Sequence, residues 1–307
     1  MDLELSDDQV SLRDGIRSLL DGRFGPDRVR DGFSRAAHAE LRDAGVFSLI
    51  ADGFCWADSA VVFEQLGEFC VPGPLVVCAL SGEVASHVDA DDPHVIEHLG
   101  DVDAVFCVGT DLRRADALTL AGTTSDWPLD PLTPVTCVAS PVVEIIVGGS
   151  DMASQWRQRG AVLTAAYQLG MASRLTEMSV QYAKERIQFD RPIGSFQAIK
   201  HLLADMVVRV EIARASVYAA AAHLDEPNEI GLDRTIAVAK TLASDAAIAN
   251  GKAATQVHGG MGYTWEIDVH LYMKRAWVLE THFGTTAAHC DAIALALLLN
   301  FEAGLGR

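Results

Sequence analysis

Two short segments carry most of the residues suited to binding or chemistry. The first, Arg186-Ile-Gln-Phe-Asp-Arg-Pro-Ile-Gly194, contains two arginines, and the second, Gln256-Val-His-Gly-Gly-Met-Gly-Tyr263, contains three glycines. Guanidinium groups and unobstructed backbone N–H groups are the groups that meet a phosphate-bearing ligand. They have to do so locally, because 24 Lys plus Arg against 42 Asp plus Glu give a net charge of −18. No broad basic surface can be assembled from that balance, which excludes nucleic acid and anionic bilayers as partners. Taken singly, Arg186 reads as a solvated arginine ending a helix and Gly259-Gly260 as an ordinary helix stop. Lys200 and His201 read as surface or packing residues rather than catalysts. The six cysteines, Cys55, Cys70, Cys78, Cys107, Cys137 and Cys290, show no metal-ligand or disulfide spacing and are expected as buried thiols in a reducing cytoplasm.

The elements that position these segments are mostly helices. Ser6 with Gln9 forms a capping-box pattern, and Val10, Leu12, Ile16, Leu19 and Leu20 continue it as an apolar stripe. Helical stretches follow at Ala36–Ala44 and Ser59–Phe69, before Val71-Pro-Gly-Pro-Leu75 breaks the pattern. Short β-branched runs at Ala104–Val108, Ala117–Leu120, Val135–Ala139 and Val142–Val147 predict four strands, too few to close a barrel around a ligand. Beyond Asp151 the spacing predicts four long antiparallel helices joined by short loops: Tyr167–Arg186, one carrying Phe196, Ile199, Leu203, Met206, Val210 and Ile212 on a face, Leu232–Val257 and Thr285–Asn300. The expected organisation is an N-terminal helical domain (1–88), a reduced β domain (89–150) and a C-terminal four-helix bundle (151–307), mainly α. The longest apolar runs, such as Ala292–Leu299, are too short for the ~20 residues of a membrane span. The amino terminus is acidic where a secretory signal would be basic, so a cytoplasmic protein is expected.

The stretch Tyr182-Ala-Lys-Glu-Arg-Ile-Gln-Phe-Asp-Arg-Pro-Ile-Gly-Ser-Phe-Gln-Ala-Ile-Lys-His201 resembles the signature of the acyl-CoA dehydrogenase family almost residue by residue, and so does Gln256-Val-His-Gly-Gly-Met-Gly-Tyr-Thr264. The order of helical module, β segment and helical bundle is also that family's order. The resemblance implies the acyl-CoA dehydrogenase fold and FAD as cofactor. In the family the flavin lies between the β domain and bundle of one subunit while its ADP half crosses into a neighbour. The receiving residues correspond here to Arg186, Gln188, Phe189, Gln197, Gln256, Gly259 and Gly260. Arg186 would offer a charge-assisted fork to the pyrophosphate, the glycines would let backbone approach phosphate oxygens, and Phe189 would lie against the adenosine portion.

The chain departs from the family at two places. Most members abstract the α-proton with the glutamate of a Tyr-Glu-Gly-Thr motif; the equivalent here is His282-Phe283-Gly284-Thr285, with Phe283 at the position of the base. Other members place the glutamate early in the first bundle helix, where this chain has Arg159-Gly160-Ala161. The family's Thr-Glu-Pro and Gly-Ser-Asp type loop, which holds the flavin ring, has no counterpart between Ser81 and Ser150. Losing base and flavin loop together while keeping the ADP-receiving motifs is expected of a specialised partner subunit. Bacterial relatives acting on steroid side chains supply the precedent, as α2β2 assemblies in which two different chains build each active site. The implied partner is a longer homologue carrying the catalytic glutamate and binding most of the acyl-CoA. Two alternatives stand beside it. One is a self-sufficient homo-oligomeric dehydrogenase with a base relocated to His282 or Glu280, although the side chain at 282 is expected to project away from that at 283. The other is a flavin-free acyl-CoA-binding or scaffold protein.

Overall fold

The computed structural model describes residues 5–89, 94–139, 145–226 and 231–305. Ser6 opens the first helix as its spacing predicts: its hydroxyl accepts the Gln9 N–H at 3.2 Å while Gln9 Oε1 accepts the Ser6 N–H at 3.1 Å. Two otherwise orphaned donors are satisfied, and α1 runs Asp7–Arg23. It is followed by α2 (Pro26–Arg30), α3 (Arg35–Asp43), α4 (Trp56–Glu68) and α5 (Leu75–Ser81). α4 is buried throughout its last ten residues, including the polar Glu64, Gln65 and Glu68.

The β segment is richer than the four strands the sequence suggests. It comprises β1 (Ala85–Asp89), β2 (Val95–Glu97), β3 (Ala104–Val108), β4 (Leu112–Asp116), β5 (Gly122–Thr124), β6 (Val135–Val138) and β7 (Ile145–Gly148). They form two sheets, one ordered β1-β3-β4-β7 and the other β2-β6-β5. β1 and β3 pair in parallel, Ala85 opposite Ala104. Val88, Ile96, Val105, Cys107, Ala115 and Val138 give the segment a small core of its own. Ala117–Leu120 is not a strand: the Asp116 carboxylate accepts the Leu118 N–H at 3.0 Å and starts a 3-10 turn over Ala117–Thr119. Val142 to Glu144 lie outside the described residues.

The rest is helical: α6 (Ser150–Glu185), the two-residue strands β8 (Ile187–Gln188) and β9 (Arg191–Pro192), α7 (Gln197–Asp225), α8 (Leu232–His258), α9 (Val269–Thr281) and α10 (Thr286–Leu305). α6 begins well before the expected Tyr167, and the link between α8 and α10 is not a short loop, because α9 lies within it. Phe196 caps α7 from outside, and Ile212 is 50% exposed, so the predicted face of α7 is reduced to Met206 and Val210, with Leu203 packing partly. α4 lies directly on α6, where a Cβ on Gly67 would strike the Tyr167 carbonyl and one on Gly170 the Glu64 carbonyl. Only glycine permits that backbone approach. Glu64, 3% exposed, accepts from Arg214 and, at 2.6 Å, from Tyr218 Oη, joining α4 to α7.

Asp130 joins the β segment to the bundle. Its carboxylate accepts the Leu132 N–H at 2.9 Å, the Thr133 hydroxyl at 2.7 Å and the guanidinium of Arg275 on α9, with both members of the ion pair buried. Cys70, Cys78 and Cys107 are buried, but Cys137 and Cys290 are exposed and Cys55 half-buried, against the expectation of uniformly buried thiols. Among the described residues, no helix is long and apolar enough to cross a membrane, and no cluster of ligating side chains could hold a metal ion.

Candidate functional site

The two sequence motifs meet at one end of the bundle. Arg186 ends α6 with its N–H on the Tyr182 carbonyl at 2.8 Å, and its own carbonyl accepts the Ile193 N–H at 2.8 Å. Between them β8 and β9 form a tight hairpin, Gln188 opposite Arg191. Its two turn residues, Phe189 (φ 53°) and Asp190 (φ 60°), both stand in the left-handed region. A hairpin of this kind favours Asn or Gly there, so Phe189 is kept at a conformational cost that its exposed ring, 85% accessible, does not repay by burial. Arg191 lies 4.1 Å above the Phe196 ring, and Gly194 lies so close to α6 that a Cβ would stand 2.9 Å from the Ala183 carbonyl.

The second motif ends α8. Gly259 turns the chain at φ 62°, ψ −140°, and the space around Gly259 and Gly260 is open. The Tyr182 ring stacks on His258 at 4.3 Å and 29°, and its hydroxyl reaches Met261 Sδ at 3.8 Å. Arg186, Gln188, Phe189, Gln197, Gln256, Gly259 and Gly260 are all exposed, and among the described residues Arg186 has no acidic partner. The sequence does not single out Tyr182 as a site residue, and it does not decide the role of His258 beside the glycines. The available signal was their spacing, one helical turn before Arg186 and one residue before Gly259.

At the far end of α6 the arrangement is closed. Phe283 is 3% exposed and lies against Gly160, where any Cβ would overlap its ring. The two positions at which the family resemblance places a catalytic glutamate are therefore in contact with each other, and both lack a carboxylate. The Phe283 ring also stacks on His87 of β1 at 4.2 Å and 6°. The Phe283 turn (φ 54°) is fixed by His289 Nε2, which donates to the Phe283 carbonyl at 3.1 Å. Buried Lys240 adds to this by donating to the Leu279 and Glu280 carbonyls, each at 3.1 Å. Burial pushes the Lys240 ammonium down to about 7.

His282 donates to Glu97 at 2.9 Å, and its ring meets the edge of His87 at 5.0 Å. Both 282 and 283 thus reach the same imidazole, and their side chains do not part as the sequence suggests. Glu280, the other relocated-base candidate, accepts the Thr286 N–H at 2.6 Å. Burial alone would raise the Glu97 carboxyl, but the charge and hydrogen bond of His282, with His87 and His98 nearby, hold it at about 2. Burial pushes His87 down to about 3, with the charge of His282 adding to the shift. The adjoining cleft, lined by His87, Glu97, His98, Arg275 and His282 among others, encloses about 30 Å³. That is room for a water or two. Among the described residues that line it, Glu97 is the one carboxylate, and His282 already engages it.

Comparison with known proteins decides the family. The chain is 32% identical over 304 residues to the acyl-CoA dehydrogenase IpdE2 of Mycolicibacterium smegmatis, covering 89% of this chain and 93% of that protein. It belongs to the acyl-CoA dehydrogenase family. Residues 148–298 match the acyl-CoA dehydrogenase C-terminal domain. Among solved structures the fold is shared with the ChsE4–ChsE5 complex of Mycobacterium tuberculosis, with a TM-score of 0.82 at 22% identity over 97% of this chain and 99% of that one. Butyryl-CoA dehydrogenase of Megasphaera elsdenii gives 0.82 at 19% identity over 97% of this chain and 100% of that one. FAD is the cofactor of this family. The Arg186 and Gly259-Gly260 end is compatible with a diphosphate: among the described residues the Arg186 guanidinium has no acidic partner, and the space around Gly259 and Gly260 is open. The Phe283 end does not fit a flavin ring with its substrate, because aromatic and histidine rings fill it.

Proposed function

We propose that this chain is the partner subunit of a flavin-dependent acyl-CoA dehydrogenase complex, working in the cytoplasm. It would assemble as α2β2 with a longer homologue that carries the catalytic glutamate and binds most of the acyl-CoA. When bound, FAD supplies the hydride acceptor for α,β-desaturation of the thioester. This chain receives the ADP half of the partner's cofactor: Arg186 offers its guanidinium to the diphosphate, and Gly259 and Gly260, with no Cβ in the way, let the backbone approach its oxygens. Gln188, Gln197 and Gln256 supply amides, and Phe189 presents its ring to the adenosine portion. The substrate class proposed is a steroid side-chain type acyl-CoA ester, on the precedent of the two-chain bacterial relatives that share the pattern of a lost base beside retained ADP-receiving motifs.

The observation that carries this reading is Phe283, buried between Gly160 and His87 where the chain would otherwise need a base. Glu97 orients His282 much as a carboxylate orients a catalytic histidine, which is the one feature in favour of a self-sufficient enzyme. That reading still lacks a seat for the hydride acceptor. The intact Arg186–Pro192 segment argues against a flavin-free scaffold. Co-expression with the longer homologue should give a yellow complex, and the chain alone should hold little FAD. Arg186→Ala in the complex should weaken FAD retention by ~1.5–3 kcal/mol, roughly ten- to a hundredfold. Stoichiometric FAD and acyl-CoA oxidation by the isolated chain would overturn the proposal.

A further inference from the structure

The cofactor half-site is built from two helix ends that lie far apart in sequence, and a diphosphate is held well only when its partners keep their separation to within about 0.5 Å. Tyr182 touches both ends. Its carbonyl accepts the Arg186 N–H at 2.8 Å, so it holds the residue that carries the guanidinium. Its ring stacks on His258, the residue before Gly259, and its hydroxyl passes beyond the glycines to Met261. His258 is itself fixed: Nδ1 donates to the Ala254 carbonyl one turn back at 2.8 Å, and the ring is only 5% exposed. Burial lowers its pKa, which favours the neutral ring. On the other side of Tyr182, the close approach of Gly194 to Ala183 keeps the hairpin against α6.

Building on the function proposed above, we infer that Tyr182 and His258 are the positioning residues of the cofactor half-site, setting the spacing between the Arg186 guanidinium and the Gly259–Gly260 backbone. Neither needs to touch the cofactor. A pair of this kind differs from ordinary helix packing in one respect: its effect on the ligand passes through the groups it positions. Removing the stack should therefore matter only while Arg186 is present to be displaced.

The test is a double-mutant cycle in the co-purified complex, reading the FAD dissociation constant of the deflavinated complex by fluorescence titration alongside its melting temperature. Tyr182→Ala should weaken FAD roughly threefold to tenfold, the range expected for a lost aromatic stack. Tyr182→Phe, which keeps the ring, should recover most of that affinity. In an Arg186→Ala background the same Tyr182→Ala step should change FAD affinity less than twofold. Equal losses in both backgrounds, or a lower melting temperature with FAD affinity unchanged, would reduce the pair to packing and overturn the inference. If Tyr182→Ala prevents folding, Tyr182→Leu and His258→Gln each remove one side of the stack and are read in the same way. Arg186→Ala without effect would sink the half-site itself, whereas Arg186→Ala with its full effect beside a neutral Tyr182→Ala would sink only the positioning role.

Discussion

Truncation of Phe283 separates a filled site from an active one. The ring is 3% exposed, stacked on His87 and pressed against Gly160, so Phe283→Ala removes a fully packed aromatic from a place that backbone on one side cannot collapse to fill. Such changes cost about 3–5 kcal/mol. At roughly 2 °C per kcal/mol for a chain of this size, the melting temperature should fall by about 6–10 °C. Phe283→Leu keeps most of the volume and forfeits the stack, about 1–2 kcal/mol. The two variants are compared by thermal and urea unfolding, with turnover of the complex measured beside them. If, as proposed, the reaction proceeds in the partner, Phe283→Leu should leave turnover nearly intact. Phe283→Glu should create no acyl-CoA oxidation in the isolated chain, because a carboxylate without a hydride acceptor can only exchange protons. A Phe283→Ala variant melting within a degree or two of the parent would show that the ring is no plug. Oxidation of an acyl-CoA by Phe283→Glu alone would show that a flavin seat exists, and the partner-subunit reading would fall.

Stability should decline on acidification in a defined window. His87 is held near 3 by burial and His38 near 4 by burial with the charges of Arg42 and Arg35, both below the ordinary 6.5. The unfolded chain therefore takes up more protons below about pH 6.5, and the urea midpoint should be flat above that value and fall towards pH 4. Glu97, held at about 2 against an ordinary 4.5, adds a further loss below about pH 4.5. His87→Phe should flatten part of the decline, and a midpoint that rises with acid would contradict the assignment. Asp130→Ala leaves the Arg275 guanidinium buried without its partner and should cost about 3–5 kcal/mol in urea unfolding; a loss under about 1 kcal/mol would mean that the pair is not buried in solution.

The helices were legible because their signals are local. Ser6 and Gln9 sit three residues apart, and both ends of α8 fall within a residue of the expected Leu232–Val257. α9 was hidden because it follows a glycine-rich segment and carries apolar and polar residues without a clean stripe, being buried against several neighbours at once. β4 was missed for a related reason: Leu112-Arg-Arg-Ala-Asp116 has only two buried residues, Leu112 and Ala115, and reads as polar. The half-site was legible as two motifs, but not their junction. The Tyr182–His258 stack and the contacts of Phe283 with Gly160 and His87 join residues far apart in sequence, and no short-range pattern encodes which distant ring will meet which. The same holds for Glu97 and His282, whose hydrogen bond makes a pair out of two residues that look unremarkable singly.

The length of α6 has a consequence of its own. Gly160, beneath Phe283, lies within the unbroken helix that Arg186 caps, and the two are separated by about 39 Å along its axis at 1.5 Å per residue. A rigid rod of that length keeps the two ends mechanically apart, so filling one end with aromatic rings need not disturb the other. On the proposed function, mutations that abolished a reaction centre near Gly160 could accumulate while the Arg186 end stayed under selection for the cofactor of a different chain. Dependence on a partner, on this geometry, requires no redesign of the surface that serves it.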